Sequence, residues 1–595
     1  MLILGISELD CDSGAALLRD GVLVGAANEE RFTRVKQQEG NPNQTIDWLL
    51  KQAGAEISDV DLILAVRQDV HSEYSHNLRA LDEARWFSFP GPLSWRLANW
   101  GIWRFRNRRK RLALSQRVNQ TLLDWARDVG VDAKRIERPD HHFMHATCAY
   151  YGSGFDKALA FTADGQGDGK TATLYSCDNG RFEHVHSVML PHSPGNFYSA
   201  ITMAAGYRPF RHEGKITGLA ARGRHDEECM TFARRNLYNV DGSFEAPYAY
   251  GSYPWLKSLL KRKGPENLAY AYQHVLEDVL VEYVRLYVRK TGATNLCMAG
   301  GVCANVSLNR RLHEIPEIEN VFIFPHMADG GLGWGAAQYA WHRHEQERRG
   351  EQYRYEPKAL DHVYWGPTYD DDYIAHMLQR EGARHERPAD METRIADLLA
   401  DGELVARFHG AMEFGPRALC HRSILYQPTD PTVNDWLNER LHRTEFMPFA
   451  PVTIREDAAS VYKGLRGAEH PATFMTITFE CTDEMARTCP AVVHLDKTAR
   501  PQLVGANDDA STYKLLMAYK ERTGLSSMIN TSFNMHEEPI VCSPEDALRA
   551  AKDARFRYLA IGPFLVELDA PSPPPAQAGR SRRAGHRGSG ALSSV

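Results

Sequence analysis

The sequence predicts an α/β protein whose N-terminal part contains one motif twice, followed by a second domain. Each copy is a strand, a loop rich in Asp and Gly, and a β-hairpin. In the first copy the predicted strands are 2–7, 15–18 and 22–27. In the second copy they are 158–163, 171–176 and 182–188. The hairpins turn at Asp20-Gly21 and Asn179-Gly180, which are typical of tight turns between apolar runs. The repeated order predicts a duplicated domain.

Both loops have a composition that suits phosphate binding, at 10–14 and at 164–169. Glycine permits close approach of a ligand, and converging backbone N–H groups attract an anion. Because duplicated halves place equivalent loops opposite each other, we expect the loops to face one cleft and to hold a nucleotide there.

The length of 595 residues exceeds what one hydrophobic core supports, so we predict several segments. Residues 1–355 form the duplicated domain, which ends in a charged run, and residues 356–569 form the second domain. Residues 570–595 are rich in Pro, Gly, Ser and Arg and predict a disordered tail. Within 86–111, the basic and aromatic run 103–111 favours a solvated helix, with contact to a polyanion as the alternative.

Composition narrows the class of protein. The net charge of −6 argues against a dedicated nucleic-acid binder. No apolar run approaches the roughly 20 residues that cross a bilayer, and the N-terminus lacks the pattern of a signal peptide. The 10 cysteines contain no C-x-x-C pair, so neither a zinc knuckle nor a disulfide framework is expected. We therefore predict a cytoplasmic protein with no nucleic-acid or membrane partner.

A histidine pair marks a candidate metal site. His141 and His145 are four residues apart and share one face if this segment is helical. Asp164 follows a predicted strand, and Asp329 precedes two glycines. Two imidazoles and two carboxylates suit Fe(II), Mn(II) or Zn(II) better than Mg(II) or Ca(II). The alternative is a helix whose histidines belong to the core.

Two further patterns indicate anion binding. Gly300, Gly301 and Asn305 follow an apolar strand and open a helix, an order that suits a nucleotide loop. Arg417 and Arg500 lie in short segments rich in turn residues, and guanidinium groups grip phosphate or carbamate oxygens in pairs. Ordinary structural turns remain the alternative for all of these segments.

Together with further motifs, these segments resemble the NodU/CmcH/TobZ carbamoyltransferase family over roughly residues 1–567. The matching segments are 29–36, 140–146, 164–168, 218–220, 299–305, 410–423, 449–451, 498–502, 530–534 and 539–541. The resemblance implies an N-terminal domain of the actin/sugar-kinase (ASKHA) fold and a YrdC-like C-terminal domain. It also implies an ATP-dependent O-carbamoyltransferase. We expect the protein to be a monomer or a homodimer, and the sequence does not decide between them.

In the activity that the resemblance implies, the C-terminal domain binds carbamoyl phosphate and ATP with Mg²⁺ and forms carbamoyl adenylate. The N-terminal domain then transfers the carbamoyl group to a hydroxyl of a small molecule, such as a natural product or a glycoside. A divalent metal, usually Fe²⁺, holds the phosphate of the intermediate. The sequence does not identify the acceptor.

The resemblance also assigns roles to individual residues. The implied metal ligands are His141, His145, Asp164 and Asp329. The implied adenylate-binding residues are Gly300, Gly301 and Asn305. The implied residues of the carbamoyl phosphate and ATP site are Arg417, Arg500 and Ser532.

This sequence departs from the family in two places. Many members have a His-Asp pair in the first loop, where this chain has Cys11-Asp12. A thiol acts as a base only when its pKa is lowered, so Asp10 and Asp12 become the candidate bases. In the segment 441–451, which is rich in cations in other members, Arg443 remains as the local cation for phosphate.

Three other functions remain as alternatives. A tRNA threonylcarbamoyl transferase shares the folds, but the negative net charge opposes it. A hydrogenase-maturation carbamoyltransferase requires N-terminal acylphosphatase and zinc-finger regions, and this sequence starts directly with the first predicted strand. A non-catalytic nucleotide-binding scaffold, or a sugar kinase of the same fold, leaves the second domain without a role.

Overall fold

A computed structural model describes residues 1–7, 12–66, 125–247, 252–442 and 449–569 as a mixed α/β protein. Several predictions fall outside these residues. They concern Asp10, Cys11, the segment 86–111, Arg443 and the tail 570–595.

The first sheet contains the strands of the first predicted copy. Its strands are β1 (Leu2–Ser7), β2 (Gly14–Arg19), β3 (Val22–Asn28), β4 (Leu62–Val66) and β5 (Ile136–Glu137). Their order is β3-β2-β1-β4-β5. β1 is antiparallel to β2 and parallel to β4, so the hairpin occupies one side of the sheet and the crossover strands occupy the other.

The second sheet repeats this topology. Its strands are β6 (Lys157–Gly167), β7 (Lys170–Asp178), β8 (Arg181–Met189), β11 (Asn295–Ala299) and β12 (Asn320–Ile323), with the separate pair β9 (Tyr238–Val240) and β10 (Ser243–Glu245) between them in sequence. The order β12-β11-β6-β7-β8 is the order of the first sheet read from the opposite side. The prediction of a duplicated α/β domain is confirmed by this repeat.

One predicted boundary was wrong. The sequence predicts a loop at 164–169, but β6 continues to Gly167 and pairs there with Lys170. The register of β6 and β7 shifts between Ala163 and Gly167, so an irregular stretch lies inside the paired strand rather than between strands. The shift gives Asp164 a position that a regular ladder does not provide.

Two helices pack between the sheets, His141–Ser153 and Leu332–Arg349. The second begins close to β1, where a Cβ on Gly333 would lie 2.7 Å from the carbonyl oxygen of Gly5. Only glycine permits this approach. The other N-terminal helices are Glu30–Thr33, Asn43–Ala53, Pro194–Ala204, Glu213–Ala220, Glu227–Asn236, Tyr253–Lys263, Pro265–Thr291 and Val306–His313. Among the described residues, no helix is long and apolar enough to cross a bilayer.

The C-terminal part is built on an eight-stranded sheet. The strands of this part are β13 (His385–Glu386), β14 (Val405–Phe408), β15 (Arg422–Tyr426), β16 (Ala450–Ile454), β17 (Tyr462–Lys463), β18 (Phe479–Cys481), β19 (Thr498–Ala499), β20 (Gln502–Val504), β21 (Ser527–Ser532), β22 (Tyr558–Ile561) and β23 (Phe564–Glu567). The large sheet has the order β13-β23-β22-β14-β15-β21-β16-β20, and β17-β18-β19 form a small one. The boundary between 355 and 356 stays a prediction.

The C-terminal helices cover or flank these sheets. They are Asp371–Arg380, Met391–Ala400, Val433–Arg440, Ala458–Val461, Glu469–Ala472, Asp483–Thr488, Ala510–Thr523 and Pro544–Asp553. Helices Met391–Ala400 and Ala510–Thr523 pack against each other. They close a core that contains Val405, Leu425 and Val452 from the large sheet.

Candidate active site

The helix His141–Ser153 carries the two histidines of the predicted metal site. Its N-terminus is fixed by Asp140, whose side chain accepts a hydrogen bond from the Phe143 N–H at 2.9 Å and pairs with Lys170 at 2.6 Å. His141 and His145 lie one turn apart on this helix and are both buried. The helical prediction for this segment is confirmed, and the spacing places both rings on one face.

The two predicted carboxylates come to the same place from distant parts of the chain. His145 Nε2 lies 3.2 Å from Asp164 Oδ2 and 3.3 Å from Asp329 Oδ1. His141 Nε2 lies 3.4 Å from Asp329 Oδ1 and 3.9 Å from Asp164 Oδ2. The donor atoms of all four residues lie within 4.8 Å of one another. A β1 residue holds the backbone here, because the Ser7 hydroxyl donates to the carbonyl of Asp329 at 2.6 Å.

The pKa values of His141 and Asp164 are shifted in opposite directions. Burial opposes the charged form of His141, yet Asp329 and Asp164 raise its pKa well above the usual value. Burial acts against ionised Asp164, but the two histidines beside it hold its pKa well below the usual range. Both ring nitrogens of His141 and Nε2 of His145 are buried without a hydrogen-bond partner in the described structure. Unsatisfied imidazole nitrogens between carboxylates fit a divalent cation of the Fe(II), Mn(II) or Zn(II) kind.

The glycine segment lies against this cluster. The Gly301 N–H donates to Asp164 Oδ2 at 3.1 Å. Gly300 has a φ of +103°, and a Cβ on it would lie 2.2 Å from the carbonyl oxygen of Ala163. Asn305 accepts a hydrogen bond from the Leu308 N–H and caps the helix Val306–His313. In the structure, Gly301 therefore bonds to the cluster, Gly300 permits a close backbone approach, and Asn305 caps the helix that follows.

The candidate base Asp12 lies in the first loop and is the first residue described after position 7. Its Oδ1 accepts a hydrogen bond from Asn28 Nδ2 at 3.2 Å, and His326 Nε2 lies 4.0 Å from its Oδ2. Burial, followed by the charge of Glu30, raises the pKa of Asp12 to about 7 against the opposing charge of Arg31. A carboxylate of this pKa is suited to general-base chemistry near neutral pH.

A cavity of about 440 Å³ lies between the N-terminal and C-terminal parts. Asp12 and His326 line it from one part, and Arg417, Arg500 and Ser532 line it from the other. Burial lowers the pKa of Arg417 to about 10. Burial and then the charge of Arg417 hold the pKa of Arg500 well below its usual value. Within the described part of the chain, neither arginine forms an ion pair with a carboxylate, so this wall of the cavity suits an anion.

The cavity also has lining residues to which the sequence analysis assigned no individual role. These are Arg31, Lys36, Arg211, Lys215 and His326. The first four belong to basic segments at 31–36 and 208–215, and that clustering was the available signal. The histidine–aspartate quartet and Gly300, Gly301 and Asn305 lie beside the cavity rather than in its lining.

Direct contacts join the two parts around this cavity. Arg31 donates to the carbonyl of Gly415 at 2.9 Å. Arg34 donates to the carbonyl of Pro539 at 2.8 Å, and Arg211 pairs with Glu537 at 2.6 Å. The cavity is therefore enclosed by side chains from both parts.

The fold and the site together define a two-part α/β protein with a cation-lined cavity close to a candidate metal centre. The chain belongs to the carbamoyltransferase family. The sequence model "Carbamoyltransferase N-terminus" matches residues 2–338, and "Carbamoyltransferase C-terminus" matches residues 396–568. The enzyme is accordingly a carbamoyltransferase.

Relatives of comparable length support this membership. An uncharacterised protein of Synechocystis sp. is 30% identical over 95% of this chain and 96% of its own length. Nodulation protein NolNO of Sinorhizobium fredii is 29% identical over 94% of this chain and 80% of its own length. Nodulation protein U of Rhizobium tropici is 31% identical over 52% of this chain and 51% of its own length.

Solved structures resemble the chain only distantly. Component A of (R)-2-hydroxyglutaryl-CoA dehydratase from Acidaminococcus fermentans covers 58% of this chain and 98% of its own, with 14% identity and a TM-score of 0.34. HypF of T. kodakarensis covers 57% of this chain and 47% of its own, with 12% identity and a TM-score of 0.31. Likenesses at this level carry no argument about activity.

Proposed function

We propose that the protein is an ATP-dependent O-carbamoyltransferase that takes the carbamoyl group from carbamoyl phosphate and delivers it to a hydroxyl of a small molecule. The acceptor class that we propose is a natural product or a glycoside. The observation that carries the proposal is the shared cavity, in which Asp12 of the N-terminal part faces the same space as Arg417 and Arg500 of the C-terminal part. The cytoplasmic location of the protein and its state as a monomer or a homodimer remain predictions.

The proposal assigns an actin/sugar-kinase fold to the N-terminal part and a YrdC-like fold to the C-terminal part. The repeated strand order of the two N-terminal sheets supports the first assignment. A large sheet whose strand β21 places Ser532 in the cavity beside Arg417 and Arg500 supports the second. The division at residues 355 and 356 belongs to the same proposal.

Activation would take place at the arginines. Water first hydrolyses carbamoyl phosphate to carbamate and phosphate. A carbamate oxygen then attacks the α-phosphorus of ATP. Carbamoyl adenylate forms and pyrophosphate leaves with the electron pair of the broken P–O bond. Arg417 and Arg500 oppose the negative charge of these oxygens, and their guanidinium groups carry no competing carboxylate among the described residues. Ser532 lines the same cavity and supplies a hydroxyl contact. A contact between Arg443 and the phosphate remains a prediction.

His141, His145, Asp164 and Asp329 would hold a divalent metal, for which we propose Fe²⁺. When bound, the metal supplies Lewis-acid stabilisation to a phosphate oxygen. The chain prepares this site by fixing the helix start at Asp140 and by holding Asp164 through the Gly301 N–H. The adjacent segment with Gly300 and Asn305 would receive the adenylate.

Transfer would use Asp12 as the base. The acceptor hydroxyl oxygen attacks the carbamoyl carbon while its proton passes to the Asp12 carboxylate. The bond from the carbamoyl carbon to the adenylate oxygen then breaks, and AMP leaves with that electron pair. The raised pKa of Asp12, about 7, matches this proton transfer. Enclosure between the two parts would shield the intermediate from water.

The test is pyrophosphate release from ATP and Mg²⁺, measured with and without carbamoyl phosphate. The proposal predicts release that requires carbamoyl phosphate. A scaffold would bind ATP without releasing pyrophosphate, and a threonylcarbamoyl-transferring enzyme would bind tRNA with an affinity that falls steeply with salt. Absence of carbamoyl phosphate-dependent release from folded, metal-containing protein would contradict the proposal.

A further inference from the structure

A buried hydrogen-bonded chain of side chains leads from His326 to the candidate base. His326 Nε2 lies 2.8 Å from Asn28 Oδ1. Asn28 Nδ2 donates to Asp12 Oδ1 at 3.2 Å. His326 and Asn28 are each 2% exposed, so water does not substitute for these contacts from the surface.

The chemistry of the groups fixes the direction of the chain. An ionised carboxylate only accepts hydrogen bonds, so Asn28 must present its NH₂ group to Asp12. The amide oxygen is then left for His326, which must carry its proton on Nε2. Burial and then the charge of Arg31 lower the pKa of His326 to about 3, which agrees with a neutral ring.

The surroundings allow little freedom to this arrangement. A Cβ on Gly330 would lie 2.3 Å from Asn28 Nδ2 and 2.5 Å from His326 Nε2. The His326 ring also meets Phe414 edge-on, with ring centroids 4.8 Å apart. Phe414 belongs to the segment that carries Arg417, so the C-terminal part supports the ring that orients the N-terminal base.

We propose that His326 is a positioning residue for carbamoyl transfer. It holds the Asn28 amide with its NH₂ group toward Asp12 Oδ1, and this orients the Asp12 carboxylate toward the acceptor hydroxyl. The inference rests on the proposed function and deepens its transfer step. In that step the acceptor oxygen bonds to the carbamoyl carbon, the proton goes to the Asp12 carboxylate, and AMP leaves with the electrons of the broken C–O bond.

The test compares His326→Met with His326→Gln in the full-length, metal-containing protein. Methionine fills the space without a donor, whereas glutamine keeps an N–H donor for Asn28. ATP and carbamoyl phosphate are supplied, water and glycerol serve as the probe acceptors, and both first-turnover pyrophosphate and steady-state AMP are measured. We expect His326→Met to slow AMP release by about 10- to 100-fold at unchanged KM for ATP, with first-turnover pyrophosphate retained. We expect His326→Gln to restore AMP release to within a few-fold of the unaltered protein.

Controls separate this role from general stability. His342 is another histidine with a side-chain partner, Tyr353 at 2.7 Å, and His342→Met should leave AMP release unchanged. If His326→Met does not fold, Asn28→Asp replaces it, because an aspartate there accepts from His326 but offers no N–H to Asp12.

Two results would overturn the inference. One is AMP release that is unchanged in His326→Met, or in Asn28→Asp where that variant replaces it. The other is a His326→Gln variant as slow as His326→Met. Unaltered protein that releases no carbamoyl phosphate-dependent pyrophosphate would remove the proposed function, and this inference with it.

Discussion

Gly301 donates its backbone N–H to Asp164 at 3.1 Å, so the glycine segment is bonded directly to a residue of the candidate metal cluster. Two motifs that are 137 residues apart in the sequence therefore form one structure. A shift of the glycine segment changes the position of a metal-ligand candidate, and a change at the cluster affects the segment that would receive the adenylate.

Gly300→Ala should damage both features. The new Cβ would collide with the Ala163 carbonyl oxygen at a φ of +103°. We expect the free energy of unfolding to fall by about 1–3 kcal/mol and AMP release to be lost. Gly292→Ala is the matched control, since Gly292 also has a positive φ of +69° but no atom within 4 Å of the added Cβ. Denaturant unfolding of both variants checks this, and equal losses of stability would contradict the crowding argument.

Asp164→Asn and His145→Ala should lower the bound metal. Each removes a donor from a cluster whose atoms lie within 4.8 Å of one another. We expect metal content per chain, measured by elemental analysis after dialysis, to fall at least tenfold. His142→Asn is the control on the same helix, because His142 Nδ1 bonds Thr162 at 2.8 Å and asparagine retains a polar group there. Unchanged metal content in the cluster variants would argue against this site.

Arg417→Met should separate activity from stability. Burial lowers the pKa of Arg417, because a buried guanidinium charge is unfavourable without a bound anion. We expect carbamoyl phosphate-dependent pyrophosphate release to fall by about 100- to 1000-fold, with no loss in the free energy of unfolding.

Arg422→Met provides the contrast. Arg422 is fully buried, donates to the carbonyl of His409 at 2.6 Å, and lies over the Phe408 ring at 3.6 Å. Its removal should cost roughly 2–3 kcal/mol of stability. A stable Arg422→Met and an unstable Arg417→Met would reverse the assigned roles.

The pH dependence of transfer should reflect Asp12. Burial and Glu30 raise the pKa of Asp12 to about 7, and a base acts only when deprotonated. AMP release should therefore rise with pH and reach a plateau. Because a cation held by Asp329 adds nearby positive charge, the midpoint should lie at or below about 7 in the metal-loaded enzyme. Asp12→Asn should abolish this rise of AMP release with pH. A rate of AMP release that falls as pH rises from 5 to 7 would contradict the role of Asp12 as the base.

The sequence predicted the features that rest on local pattern. Asp-Gly and Asn-Gly turns between apolar runs identified the duplicated sheets, and the spacing of His141 and His145 identified one helical face. The end of β6 was predicted wrongly at residue 163, because the residues of a register shift inside a strand resemble a loop in composition.

The cavity could not be predicted from local patterns in the sequence. His326 and Asn28 are separated by 298 residues, and their contact depends on how the two halves of the duplicated domain pack. Arg31 meets Gly415 only because the C-terminal part closes against the first sheet. Residues such as these are recognised from the folded chain, since no spacing in the sequence links them.

The most direct test of the account uses Asp164→Ala, in which activation and transfer are measured side by side. Carbamoyl phosphate-dependent exchange of pyrophosphate into ATP reports activation at Arg417 and Arg500, and AMP release to water and glycerol reports transfer. We expect exchange close to that of the unaltered protein, with AMP release lowered at least 100-fold. Equal loss of exchange and AMP release in folded protein would contradict the division of the reaction between two sites.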